Sequence, residues 1–259
     1  MYPQGPISLP PFISSSVPKS GTHLMHQMLN GIPGVTNDIN DASKKFFANN
    51  PPAGFYDDHS RRLALLQPNQ FAIGHLYYED RYARMLEQYK LKHIFLYRDP
   101  RDVFVSLIYY IADNWIAHPL HPYFRTRYFT FEDRAAALLQ GIPEYSLTFG
   151  QYITLFYGWI REPNCLKVSF EQLMVTPERR RETVLRILHY LWEGRMLPMP
   201  MQTMAFSMES RINSTTSRTF RKGLIGSWRT EFSGRIKQLF KQNAGQLVID
   251  TGYEKTMNW

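Results

Sequence analysis

The 259-residue chain contains one cysteine, Cys165. With a single thiol no internal disulfide can form and no multi-cysteine zinc site can be built, which excludes a disulfide-stapled secreted domain. Cys165 sits in the apolar run CLKVSF and reads as a small buried hydrophobe. Long hydrophobic runs are equally scarce. The longest, VFVSLIYYIA (Val103–Ala112), includes a serine and falls short of the ~20 residues a bilayer-spanning helix takes. The opening MYPQGPISLPPF lacks the basic start and apolar stretch of a secretory signal. The expectation is a soluble, cytoplasmic protein with no membrane partner. Neither a fixed-period repeat nor a low-complexity linker occurs, and no H-x-x-x-H or similar set asks for a metal. Acidic residues are outnumbered 22 to 30, leaving a net charge of +8. That excess either serves solubility or draws an anion, whether nucleotide, nucleic acid or membrane surface.

What the chain does have is a rhythm of short apolar runs, each followed by a helical pattern. PFISSSV precedes a helix from about Gly21 to Asn30, and QFAIGHL (Gln70–Leu76) precedes DRYARMLEQYK. HIFLYR (His93–Arg98) precedes DPRDVFVSLIYYIAD, and CLKVSF precedes EQLMVTPERRRETVLRILHYL. This alternation predicts an α/β fold, one domain over residues 1–259, with a mostly parallel central sheet flanked by helices. In such sheets ligands gather at the carboxyl ends of strands. Two stretches interrupt the rhythm. Asn114–Arg134, rich in aromatics, prolines and basic residues, is expected to be an irregular loop over the site, a lid or substrate loop. Ser207–Trp228, polar and basic with two glycines, is expected to be a long loop before a last helical region from about Glu231.

Three polar clusters stand at predicted strand ends or in these loops. In SVPKSGTHLM (Ser16–Met25), Lys19, Ser20, Gly21 and Thr22 fall between a strand and a helix, where exposed N–H groups and the helix dipole favour an anion. An ordinary helix cap by Ser20 beside an exposed lysine is the alternative. No G-x-x-x-x-G-K-[ST] loop is present. In YRDPRDVFVS, Arg98 closes a strand, Asp99-Pro100 starts a helix, and Ser106 follows two turns in. An arginine and a hydroxyl suit a phosphate lying along the helix; a helix-end ion pair of Arg98 with Asp102 is the alternative. In FRKGLIGSWR, Arg221 and Lys222 stand beside Gly223, a phosphate contact, a nucleic-acid contact or a solvated loop.

Taken together and in this order, the three clusters resemble sulfotransferases that use 3′-phosphoadenosine 5′-phosphosulfate (PAPS), over Pro18 to about Phe232. The resemblance implies a P-loop-like phosphosulfate-binding loop, with PAPS as co-substrate, 3′,5′-ADP as product, and no metal. PKSGT matches that family's P-K-S-G-T-T-W through Thr22, so Lys19 resembles the catalytic lysine and Ser20, Gly21 and Thr22 the loop ligands. His23 follows where the family has threonine, and Leu24 where a tryptophan stacks on adenine. Arg98 and Ser106 resemble the 3′-phosphate pair, and Arg221, Lys222 and Gly223 the clamp within a nucleotide-clamping loop at 207–228. Phe170 and Phe206 fall near the family's adenine contacts.

In AIGHLYY, His75 resembles the histidine base of K-T-H-L-P, although Ile73 replaces the lysine and Tyr77 the proline. It ends an apolar run, where a pocket is expected to tune its pKa toward neutrality. A hydrogen-bonded core histidine is the alternative. The implied reaction is in-line sulfuryl transfer to a small-molecule alcohol, phenol or amine, with Tyr77, Tyr78, Tyr109 and Trp115 offered as acceptor contacts. The family's dimer segment K-x-x-x-T-V-x-x-x-E is matched only by RTEFSGRIKQ, without its Thr-Val pair or glutamate. Two other readings stand beside this one. A P-loop kinase-like phosphotransferase would need the missing Walker lysine-serine pair. A non-enzymatic nucleic-acid-binding module would use ERRRE, RTRYF and SRTFRKG.

Overall fold

The computed structural model describes residues 8–47, 55–142, 147–213 and 223–259. Along the chain come β1 (Phe12–Ser16), α1 (Thr22–Leu29), β2 (Lys45–Phe47), α2 (Phe55–Ala64), β3 (Phe71–His75), α3 (Asp80–Gln88) and β4 (Lys92–Tyr97). Four helices follow: α4 (Pro100–Tyr109), α5 (His121–Thr126), α6 (Phe131–Gln140) and α7 (Phe149–Tyr157). The chain ends with β5 (Cys165–Ser169), α8 (Phe170–Met174), α9 (Pro177–Trp192), α10 (Met201–Ser210), α11 (Trp228–Glu231) and α12 (Gly234–Asp250). It divides into two compact units, Met1–Tyr97 with Gly158–Arg218, and Arg98–Tyr157 with Thr219–Trp259.

All five strands belong to the first unit, in the order β2-β3-β1-β4-β5, and every pairing is parallel. The four strands expected from the apolar runs form within one residue of their expected ends. β1 has β3 on one side and β4 on the other, so the winding reverses at β1. Its carboxyl end is therefore the switch point at which open α/β sheets bind ligands. All five β1 residues are buried, three of them serines that need polar partners in a dry sheet. Ser15 Oγ finds one in His93 Nε2 at 2.6 Å.

The edge strand β2, only three residues long, has no counterpart among the expected strands. Its close approach to β3 requires a glycine, because a Cβ at Gly74 would lie 1.7 Å from the Phe46 carbonyl oxygen. Helix α9 follows its sequence pattern. Thr176 accepts from the Arg179 N–H, Pro177 sits in the first turn, and Val184, Ile187, Leu188, Leu191 and Trp192 bury one face. They join Met25, Met28 and Leu29 of α1 and Met204 and Met208 of α10 in one core. Each fully buried aliphatic side chain there contributes about 1.5–3 kcal/mol.

The second unit is helical among its described residues. Asp99 caps α4 by accepting from the Arg101 N–H, with Pro100 in the first turn, as the sequence predicts. Phe104 packs edge-on against Phe149, Phe232 and Phe240 at centroid distances of 4.7–5.9 Å. Arg101 is almost wholly buried, stacked on Trp228 and Trp259 at 3.9 and 4.6 Å.

One expectation about loops is corrected and another is shortened. Asn114–Arg134 is not an irregular loop: it closes a π-helical turn, holds α5 and runs into α6. Pro122 sits in the first turn of α5, and Thr130 and Asp133 form a reciprocal capping box that starts α6. Ser207–Trp228 is helical at both ends, since α10 extends through Ser210 and α11 begins at Trp228; residues 211–213 and 223–227 are non-helical as expected, and 214–222 lie outside the described residues. The last long helix starts at Gly234, where Ser233 accepts from the Ile236 N–H. Among the described residues no helix is long and apolar enough to cross a membrane.

Candidate active site

In the first unit the chain leaves β1 at Ser16 and turns through Val17–Gly21 into α1. Two residues of this turn are left-handed, Lys19 at φ 68° and Gly21 at φ 99°. Glycine adopts that conformation freely; a lysine held there costs on the order of 1–2 kcal/mol, which the surrounding structure must sustain. Gly21 occupies the cap position of α1 and no side chain caps the helix. Ser20 therefore does not act as the cap. Its hydroxyl is fully buried and has no hydrogen-bond partner among the described residues. A buried hydroxyl left unmatched costs about 1–3 kcal/mol. An oxygen-rich anion at the head of α1 would satisfy both this hydroxyl and the uncapped helix N–H groups. The ring of Phe170, the first residue of α8, lies over the turn, with its edge carbons 2.8 and 3.2 Å from where a Gly21 Cβ would stand.

The parallel register that pairs Ser15 with Gly74 sets Ser16 beside His75. His75 Nδ1 lies 2.8 Å from the Ser16 carbonyl oxygen and 3.2 Å from Ser16 Oγ, and Ser16 Oγ is 2.7 Å from Thr22 Oγ1. Since a carbonyl only accepts, Nδ1 carries the proton and Nε2 the lone pair of the neutral ring. Ser16 thus ties the imidazole to the first residue of α1. Burial pushes the His75 pKa down to about 4; the Ser16 carbonyl opposes this, and the positive charges of Lys19 and His23 add to it. The expected tuning toward neutrality is corrected: desolvation places the imidazole well below it, and the ring is uncharged at pH 7. His23, at the start of α1, is lowered by burial and then by His26, Lys19 and Lys45. Lys19 and Lys45 thus bring positive charge near His23 at this helix N-terminus, an electrostatic setting that favours an anion.

In the second unit, Arg98 is buried, and its Nη2 donates to the Leu224 carbonyl at 2.6 Å. The same nitrogen stands 3.6 Å from Asp102 Oδ2, so the helix-end ion pair named as the alternative to a phosphate contact does form. Ser106 is half-buried on α4, two turns along as expected. Gly223 is left-handed at φ 61° and opens the turn that leads to α11. Arg221 and Lys222 lie outside the described residues.

The remaining sequence-predicted residues are scattered. Phe206 is 67% exposed on α10, whose buried face carries Met204 and Met208. Tyr77 is half-buried just after β3. The Tyr78 hydroxyl donates to Asp80 Oδ1 at 3.0 Å, and its ring meets Trp159 edge-on. Tyr78 and Trp159 line a cavity of about 600 Å³ with His93, Lys92 and Tyr190, and no residue of the Lys19 loop lines it. In the second unit Tyr109 donates to Glu231 Oε2 at 2.9 Å and stacks on Phe131, whereas Trp115 packs against Tyr110 and His118. Within the first unit the structure thus gathers Lys19, Ser20, Gly21, Thr22, His23, His75 and Phe170; within the second it gathers Arg98 and the Gly223–Trp228 turn. Two contributors escape a reading of the sequence. Ser16 carries a signal, a polar run in a strand otherwise fit for burial; the contacts of Asp102 with a segment more than 120 residues away carry none. Among the described residues no cluster of His, Cys, Asp or Glu could hold a metal ion.

A family model described as Sulfotransferase domain matches residues 9–252. No curated protein matches the chain at a significant level. Among solved structures, mouse sulfotransferase SULT7A1, complexed with PAP, superposes with a TM-score of 0.57 at 19% identity, covering 94% of this chain and 88% of that one. Retinol dehydratase in complex with androsterone and inactive cofactor PAP superposes at 0.53 and 17% identity, covering 95% and 81%. At these identities the likeness is one of fold.

Proposed function

The chain belongs to the sulfotransferase domain family, and from that premise we propose that it moves a sulfuryl group from PAPS to a hydroxyl or amine of a small-molecule acceptor in the cytoplasm. The observation that carries this reading is the turn after β1: an uncapped helix N-terminus, a buried unmatched Ser20 hydroxyl and a strained Lys19, tied through Ser16 to a neutral histidine. Such a site suits an anion that must both be held and react.

In this reading Lys19, Ser20, Gly21, Thr22 and His23 hold the 5′-phosphosulfate. The acceptor oxygen or nitrogen attacks sulfur in line as His75 Nε2 takes its proton, and the bond from sulfur to the phosphate oxygen breaks. Lys19 and the N–H groups of α1 stabilise the charge that gathers on that oxygen as 3′,5′-ADP departs. Burial keeps His75 unprotonated across the physiological range, so its Nε2 lone pair is not already occupied by a proton when the acceptor binds. Arg98, Ser106, Arg221, Lys222 and Gly223 are assigned to the 3′-phosphate, and Phe170 and Phe206 to adenine. Tyr77, Tyr78, Tyr109 and Trp115 remain the proposed acceptor contacts.

Calorimetric titration with 3′,5′-ADP, with a generic oligonucleotide as control, tests the reading. Saturable binding of the small nucleotide at moderate salt supports it. Salt-sensitive binding of the oligonucleotide alone would replace it with the nucleic-acid module.

A further inference from the structure

The carboxylate of Asp102, on the first turn of α4, has no exposed surface. Its Oδ2 accepts from the Gly226 N–H at 2.7 Å, and its Oδ1 from the Trp228 N–H at 3.1 Å and the Ser227 hydroxyl at 3.2 Å. Oδ2 also faces Arg98 Nη2 at 3.6 Å, while that same nitrogen donates to the Leu224 carbonyl. One buried carboxylate therefore holds three donors of the Gly223–Trp228 turn and the guanidinium that reaches back to that turn. Two backbone N–H groups, a hydroxyl and a cation call for an acceptor with two charged oxygens. A single ion pair with Arg98 would need only one.

We propose that Asp102 is a positioning residue for 3′-phosphate recognition. It fixes Arg98 and the turn following Arg221-Lys222-Gly223 in one geometry, so that both meet the same phosphate. This rests on the assignment of Arg98 to the 3′-phosphate. Asp102 itself touches no nucleotide; a carboxylate would repel the phosphate, and its role is spent on the backbone behind it.

The test compares affinities for 3′,5′-ADP and 5′-AMP, which differ only in the 3′-phosphate. Asp102→Asn puts an amide NH₂ against N–H donors and removes the charge that orients Arg98. It is expected to weaken 3′,5′-ADP by about 10- to 100-fold, the equivalent of one or two charge-assisted hydrogen bonds, and to leave 5′-AMP within about twofold. Ser227→Ala, at a half-buried position, deletes one donor without burying a mismatch and is expected to weaken 3′,5′-ADP by a few-fold with the same selectivity. It decides the matter if the asparagine variant does not fold. Arg98→Ala separates the two levels of inference. If it leaves both nucleotides unaffected, the phosphate assignment falls and the role of Asp102 with it. If Arg98→Ala is selective for 3′,5′-ADP but the Asp102 and Ser227 variants weaken both nucleotides equally or neither, Asp102 is an element of the fold alone and the proposal is overturned.

Discussion

Replacing Arg101, a residue that is 1% exposed, with methionine keeps most of the side-chain volume and removes its guanidinium. That group donates to Asp99 three times, at 2.8, 3.0 and 3.2 Å, and to Glu254 once, at 2.7 Å, between the faces of two tryptophans. Breaking a buried ion pair by removing one partner costs about 3–5 kcal/mol, because the other charge is left in a dry site. For a chain of this size each kcal/mol moves Tm by roughly 2–4 °C, so the variant should melt roughly 6–20 °C lower. Burial already holds the Asp99 carboxyl above its usual range, and losing Arg101 raises it further. A group whose folded pKa is raised costs stability as pH climbs through that pKa, so the deficit should be larger at pH 7 than at pH 4. Asp99→Asn in the same chain keeps the cap and removes the stranded charge, recovering on the order of 1–3 kcal/mol as a coupling term. Urea and thermal unfolding of the four species measure all of this. A single variant that loses less than about 1 kcal/mol, or a strictly additive double variant, would refute the reasoning from buried charge.

Two further perturbations probe the phosphate turn and the buried histidines. Gly21→Ala combines a left-handed backbone with a Cβ 2.8 Å from the Phe170 ring, whereas Gly34→Ala, at φ 79° with nothing within 4 Å, carries the backbone strain alone. Gly34→Ala should cost about 1 kcal/mol and Gly21→Ala about 1–3 kcal/mol more in urea unfolding, with 3′,5′-ADP binding lost only in the latter; equal costs would mean that Phe170 yields freely. His59 and His93 are each 2% exposed, and burial holds them at about 4 and about 3. Below pH ~6.5 the unfolded chain takes protons that the folded chain refuses, so their stabilisation is complete above that pH and is lost as pH falls toward 4. The slope is about 1.4 kcal/mol per pH unit per histidine; a urea midpoint that stays flat from pH 7 to 5 would contradict the burial argument.

Much of the fold is legible in the amino-acid sequence, for local physical reasons. Apolar runs such as HIFLYR and CLKVSF have few alternatives to a buried strand, and Asp99-Pro100 is a helix start on its own. The stretch from Asn114 to Arg134 that reads as a loop holds helices because the signals for those helices are short. Thr130-x-x-Asp133 starts α6 inside a segment whose aromatic and proline content suggests irregular chain, and β2 is three residues whose existence depends on Gly74 of another strand. The lysine turn is legible as an anion site. That Gly21 rather than Ser20 caps α1, that Ser16 ties His75 to Thr22, and that burial carries His75 to about 4 are consequences of register and packing. The fastening of Asp102 to Gly226 and Trp228 spans more than 120 residues, and sequence spacing holds no trace of it.

Incubation with isotopically labelled PAPS and a panel of alcohols, phenols and amines, read by mass gain of the acceptor, bears most directly on sulfuryl transfer from a Lys19–His75 site. The parent protein should sulfate at least one acceptor. Lys19→Ala should be slower by on the order of 100-fold or more, as should His75→Ala, with both proteins folded and melting normally. Transfer that proceeds at the parental rate without Lys19 or without His75 would contradict the account.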